Sequence, residues 1–363
     1  MSSPHGTHTG YHIEPYHMNG LNWKLAPCNP KRNNITIVTG FMPDWWEEEY
    51  GITFRREFHA KPDVHKQTLV RMKEILQERF GRLPNFDYGS NYAESYPTER
   101  RYGDALIPAL FGAKVSFDEA SGHPYAEEMN LSDEEAIQLQ VPNIADNPIL
   151  KSIFDQRRDK DIPTVGELGF EGVVNIAHKL RGQQMFMDFI EKPHVIRHIL
   201  EVVCETIEKV VLHVRKWQDT EGSRPTYFVN CDCLINMISG NMYSEQLLEF
   251  DKRLHTTFDL FGIHTCNWSI DPYLDALAEV GDLAYLDMGA DSDIDRVHEL
   301  FPGVEPSVFF HPETLRRMTE SEIHKAITDL GKRIGRGYIL FSDLEVGTTD
   351  GQIRTAYEAA ANL

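Results

Sequence analysis

Short apolar runs recur from about residue 35, each closing on polar or small residues: 35-ITIVTGF, 162-IPTVGELGF, 226-TYFVNCDC, 260-LFGIHTCN, 283-LAYLDMGA, 307-SVFFHPE and 338-YILFSDLE. Their length and unbroken apolar character predict strands buried on both faces. Helical patterns separate them. In 271-DPYLDALAEVG, Asp271 reads as an N-cap, Pro272 suits the first helical position and Gly281 ends the helix. Thr319 and Glu322 have capping-box spacing. Val195, Ile199, Val202, Val203, Ile207 and Val210 fall at helical intervals within 193–217, and 243–258 and 350–361 repeat that pattern on a smaller scale.

Strand and helix therefore alternate through residues 160–363, which predicts a parallel sheet. An open doubly wound sheet and a barrel both fit the alternation. The seven runs, with an eighth strand expected in 85–117, favour an α/β fold built as a single (β/α)8 TIM barrel over 38–363. No Gly-x-Gly-x-x-Gly turn marks a dinucleotide fold. Residues 1–37 form an N-terminal arm in this reading, because the first 33 are rich in His, Asn, Pro and Tyr without periodicity. The acidic, weakly periodic stretch 118–160 is an insertion.

Composition narrows the partners. Net charge is −20 with Lys and Arg scattered, so nucleic acid and anionic membranes would be repelled. No apolar run is long enough for a membrane span, and the polar start MSSPHGTHTG lacks the apolar centre of a signal peptide, so a cytoplasmic location is expected. Five cysteines, an odd number, do not form a disulfide framework and are expected to be thiols, some of them ligands.

In a barrel the active site lies at the strand C-termini. Those ends carry Glu167, Asn230 to Cys233, His264 to Cys266, Asp287, His311, and Asp343 with Glu345. Side chains two apart on a strand share a face, so His264 and Cys266 can converge on one point. Imidazole nitrogen and thiolate sulfur suit zinc. A third ligand must come from another strand end, where Cys231, Cys233, Asp343 and Glu345 are all available. Asp104 opens an apolar run, as a helix cap or as a carboxylate with a chemical task. Trp45 and Trp46 read either as an aromatic lid over a flat ligand or as packing.

The succession FMPDWW, GDALIPALFGAKVSFDE, GELGFEGVVNIAHKLRG, GIHTCN and RGYILFSDLEVGTTD, covering roughly 38–361, resembles the uroporphyrinogen decarboxylase superfamily. That superfamily includes corrinoid-dependent methyltransferases of the methylcobalamin:coenzyme M type. The resemblance implies a (β/α)8 barrel with a deep cleft at the strand C-termini. Asp104 falls where the decarboxylases hold pyrrole nitrogens, but FMPDWW lacks their arginines, the expected tyrosine is replaced near Ala177, and the late histidine is replaced near Asp343. His264-Thr265-Cys266 matches the His-x-Cys of the zinc-containing methyltransferase branch. There a cysteine is expected in the C-terminal motif, and FSDLE has none, so Asp343 is assigned as third ligand.

The resemblance thus implies methyl transfer between a corrinoid, free or on a partner corrinoid protein, and a small acceptor such as a thiol or tetrahydrofolate. Catalytic roles are expected of Asp104, Glu167, Asp287 and Asp343, cofactor contacts of Trp45, Trp46 and Asn230, and zinc ligation of His264, Cys266 and Asp343. The alternative is a lyase decarboxylating a small aromatic or pyrrolic acid, with Asp104 stabilising charge.

Overall fold

The computed structural model describes residues 10–17, 21–29, 32, 34–86, 102–118, 124–158, 171–218 and 224–363. Ten strands are found among them. Strands β1 (Tyr11–His17) and β2 (Leu21–Pro27) form an antiparallel hairpin. After β3 (Ile35–Phe41), a second hairpin joins β4 (Val115–Phe117) to β5 (Pro124–Ala126). The others are β6 (Tyr227–Cys231), β7 (Leu260–His264), β8 (Tyr285–Gly289), β9 (Ser307–Phe309) and β10 (Gly337–Leu344). With β3 they build one parallel sheet in the order β3-β10-β9-β8-β7-β6. Every strand run expected from 226 onward is present, and so is 35-ITIVTGF.

The eighth strand expected in 85–117 is not found among the described residues. Residues 103–110 are helical, and Val115–Phe117 pairs outside the main sheet. The apolar run 106-LIPAL does not extend because its side chains are buried all round, as a short core helix and not as a strand. The run 162-IPTVGELGF, with Glu167, lies outside the described residues. The sheet seen is therefore six-stranded and not closed, with its first strand beside its last.

Strand alternation assigns the two faces. Phe228 meets Phe258, at the end of the helix Leu248–Thr257, with ring centroids 5.3 Å apart. Ile37, Phe341, Ile327 and Ile353 share the main core with it, so these residues face the helices. Tyr227, Val229, Cys231 and Tyr285 face the other way, where Ile13 and Trp23 of the first hairpin cover them. Leu21 packs in the same way against Val38, Phe309, Tyr338 and Leu340. The strands are apolar on both faces because helices cover one and the hairpin covers the other. Residues expected to be an arm over the molecule thus fill the helix-free side of the sheet, and burying Ile13 alone contributes about 1.5–3 kcal/mol.

Close approach makes that seating possible. A Cβ on Gly40 would fall 1.9 Å from the His17 ring, so the hairpin tip rests directly on the β3 backbone. Gly40→Ala is expected to cost about 1–3 kcal/mol by overpacking, read as a lower urea midpoint with an unchanged slope. An unchanged midpoint would mean that the hairpin is not seated there.

Helix ends follow the sequence. Thr319 with Glu322, and Thr349 with Gln352, form full capping boxes. Asp271 departs from expectation, since its carboxylate accepts from the backbone N–H of Asp293 across a loop and does not cap its own helix. A cavity of about 750 Å³ lies beneath the hairpin base, bounded by Tyr11, Cys28, Arg32, Leu260, Ala284 and Tyr338. It adjoins the starts of the strands, the end opposite to the cluster described next.

Candidate metal centre

The pairing of β6 with β7 places Cys231 opposite His264. The backbone N–H of Asp232 still donates to the His264 carbonyl, so the two chains stay side by side past the strand ends. Two residues further on, Cys233 therefore stands beside Cys266. The Cys266 thiol donates to Cys233 Sγ at 3.0 Å, and His264 Nε2 lies 3.1 Å from Cys266 Sγ. One donor atom from each of Cys233, His264 and Cys266 lies within 4.8 Å of the others. Among the described residues, this is the group of three or more His, Cys, Asp or Glu side chains that converges closely enough to hold a metal ion.

Behind His264 stands Asp287, fully buried. Its Oδ2 accepts from His264 Nδ1 at 2.6 Å and from the Tyr285 hydroxyl at 2.8 Å, and its Oδ1 accepts from the Thr265 backbone N–H at 2.8 Å. The carboxylate holds the proton on Nδ1, so Nε2 is the nitrogen that a metal would take by displacing its proton. Two rings pack on the imidazole, with centroids 5.0 Å away for Trp23 and 5.8 Å for Phe309. Asn175, on the helix Val173–Arg181, accepts from the Leu234 backbone N–H at 3.1 Å and hydrogen-bonds to Cys233.

These contacts set the charges. Burial opposes the imidazolium, but the Asp287 carboxylate and then Cys233 outweigh it and raise His264 to about 10. The hydrogen bond from Cys266 pulls Cys233 well below the usual thiol value against the cost of burial, and His264 helps. Cys266, as donor to Cys233 and itself buried, is pushed up. Cys266 also has φ +65° and Asp343 has φ +66°, a backbone region uncommon outside glycine. Strain held at two strand ends beside one cluster is a mark of functional geometry.

The donor set fits a catalytic zinc site. Two sulfurs and one imidazole nitrogen, the nitrogen oriented by a carboxylate, match a three-ligand centre whose bonds run about 2.0–2.3 Å and whose fourth position stays open.

Several sequence expectations change. Cys233 completes the cluster, and Asp343 does not; its carboxyl stands outside the group, and desolvation raises its pKa against the pull of the nearby His264 charge. Asp287 positions His264 and has no free face for an acceptor. Asn230 is fully buried, with Oδ1 accepting from Val173 and Nδ2 donating to both Asp232 and Asp251 at 2.6 Å, so it organises a helix start and not a cofactor contact. Trp45 and Trp46 are buried against each other and Phe41, and the Arg79 guanidinium covers Trp45, so no ring face is open to a flat ligand. His311 caps the helix Pro312–Arg317. Asp104 is exposed in a helical turn, and its charge reaches Cys231 and Glu171.

Glu171 escaped the sequence reading. Burial first, then the Asp104 charge, raises its carboxyl to about 8, and its Oε2 has no hydrogen-bond partner among the described residues. It stands within electrostatic reach of Cys233 as a neutral acid with an unused oxygen.

No protein-family model and no curated protein matches this sequence. Among solved structures, the chain is similar to a methyltransferase from Methanosarcina mazei at 14% identity and TM-score 0.61, covering 92% of this chain and 95% of that one. At that identity the likeness concerns the fold. No helix among the described residues is long and apolar enough to cross a membrane.

Proposed function

We propose that the protein is a zinc-assisted methyltransferase that moves a methyl group from a corrinoid, carried by a partner protein, to a small thiol. The observation that carries this reading is the Cys233, His264 and Cys266 donor set backed by Asp287. The cyclic strand order, with β3 beside β10, supports reading the sheet as part of a (β/α)8 barrel with the donors at the strand C-termini. The name of the M. mazei protein supports the reaction class.

Bound zinc would lower the pKa of an acceptor thiol and hold it as thiolate. The chain's residues do the rest. Cys233 and Cys266 supply soft donors, Asp287 keeps Nε2 of His264 available, and Glu171 offers a neutral hydroxyl to hydrogen-bond a polar group of the acceptor. A corrinoid held there would supply an electrophilic methyl carbon, which would pass to the thiolate sulfur while the carbon–cobalt electron pair stayed on cobalt. Trp268, half exposed just past Cys266, and the exposed Met237 just past Cys233 give the rim an apolar surface suited to a corrin face.

About one zinc per chain is expected in protein purified without chelator, lost in Cys266→Ala, with methylcobalamin consumed when a small thiol is added. Absence of metal from the wild-type protein, or equal thiol methylation by Cys266→Ala, would overturn the reading.

A further inference from the structure

The first hairpin is more than filler. Trp23 packs on the candidate ligand His264 from the helix-free side of the sheet. It also meets Tyr285 edge-on, with ring centroids 5.8 Å apart. Its buried indole N–H has no well-formed hydrogen bond among the described residues and is directed at the Tyr285 oxygen, where it opposes the rise that burial imposes on that phenol. Tyr285 in turn donates to Asp287 at 2.8 Å, and Asp287 accepts from His264. Trp23 therefore bears on the imidazole directly, by tilted ring packing, and indirectly, through Tyr285 and Asp287.

The hairpin has few other reasons to stop where it does. Tyr227 anchors it by donating to the Trp23 carbonyl at 3.4 Å, and Gly40 leaves room for the His17 ring at its tip. Both contacts set how deeply Trp23 enters. With Trp23 and Phe309 both in ring contact with it, the buried imidazole has little room to rotate about its Cβ–Cγ bond.

We propose that Trp23 is a positioning residue of the metal centre, delivered by an N-terminal hairpin seated against the sheet, and that it holds the His264 ring in the one orientation that presents Nε2 to the metal. This inference rests on the zinc reading above. It makes the paired strands Tyr11–His17 and Leu21–Pro27 part of the site without supplying a ligand to the cluster.

The test uses the full-length chain with Trp23→Ala, Trp23→Phe and, as a packing control from the same buried cluster, Ile13→Ala. Zinc affinity is measured by chelator competition, and the Co²⁺-substituted proteins are compared by their ligand-field and thiolate charge-transfer bands. Trp23→Ala is expected to lower zinc affinity about 10–100-fold, the usual range for a group that orients a ligand, and to shift the Co²⁺ bands. Trp23→Phe, which keeps a ring but loses the N–H, should lose less. Ile13→Ala should lower thermal stability and leave both metal readouts at wild-type values. Should Trp23→Ala fail to fold, a wild-type affinity in Trp23→Phe with unshifted bands sinks the proposal. Equal affinity losses in Trp23→Ala and Ile13→Ala would reduce the hairpin to general packing. A wild-type chain that binds neither Zn²⁺ nor Co²⁺ overturns the zinc reading and this inference together, whereas tight wild-type binding with unchanged Trp23→Ala overturns this inference alone.

Discussion

Asp287→Asn is expected to lower zinc affinity about 10–100-fold while leaving the chain folded. The Asp287 carboxylate takes three hydrogen bonds and gives none: from His264 Nδ1, from the Tyr285 hydroxyl and from the Thr265 backbone N–H. An asparagine keeps one acceptor oxygen and sets an NH₂ where the other was. Either that NH₂ opposes the two donors at Oδ2, or His264 moves its proton to Nε2, the atom a metal needs. The same change alters the pH response. In the metal-free protein the Asp287 charge, with Cys233, overcomes burial and raises His264 from its usual 6.5 to about 10. A raised folded-state pKa stabilises most below the unfolded value, so this contribution is complete below about pH 6.5 and is lost as pH rises through 10. Asp287→Asn should flatten the metal-free stability profile across that window. Zinc must also displace the His264 proton, so wild-type apparent affinity should climb with pH, by about tenfold per unit for each proton released. Chelator competition at several pH values reads both effects. An affinity equal to wild type at every pH would show that the carboxylate does not orient the ligand.

The six strands of the sheet were legible in the sequence because their runs are apolar without alternation, and both faces of the sheet are in fact covered. What covers the second face was not legible. The hairpin 11–27 alternates His, Glu, Asn and Lys with apolar residues, which looks like exposed chain until its partner surface is known. The pair His264 and Cys266 could be found from their spacing, although β7 ends at His264 and it is the left-handed turn at Cys266, not strand alternation, that brings the thiol back to the imidazole. Choosing Cys233 over Asp343 required the register, because it is the pairing of Cys231 with His264 that carries Cys233 to Cys266. Register depends on contacts between strands and has no signature within one run. Trp45 and Trp46 misled for the converse reason: a paired aromatic is as useful to a core as to a ligand, and only burial separates the two. Glu171 is a similar case, an ordinary glutamate in sequence whose surroundings alone make it a neutral acid.

Asp188→Ala is expected to cost about 3–5 kcal/mol, the largest loss of stability from any single polar change considered. Asp188 is fully buried and accepts from Arg181 Nε at 2.7 Å and from Gln184 at 3.0 Å. Arg181, buried as well, also pairs with Asp133 and donates to the Leu131 carbonyl. Removing Asp188 strands a buried guanidinium with one half-exposed partner, and the lost Coulomb attraction adds to an uncompensated desolvation cost. The double change Arg181→Met with Asp188→Leu removes both charges and should recover most of the loss. Lys192, which meets Asp133 at 2.6 Å at the surface, provides the contrast: Lys192→Ala should leave the urea midpoint close to the wild-type value because water screens that pair. The consequence for function follows from position. Arg181 ends the helix Val173–Arg181, whose other end carries Asn175 against Cys233 and follows directly on Glu171. Anchoring one end of a nine-residue helix fixes the placement of the other, so Asp188→Ala should loosen zinc as well as lower the urea midpoint. Zinc affinity held at the wild-type value in a destabilised Asp188→Ala protein would separate the two, and would mean that the strand ends position Cys233 without help from this helix.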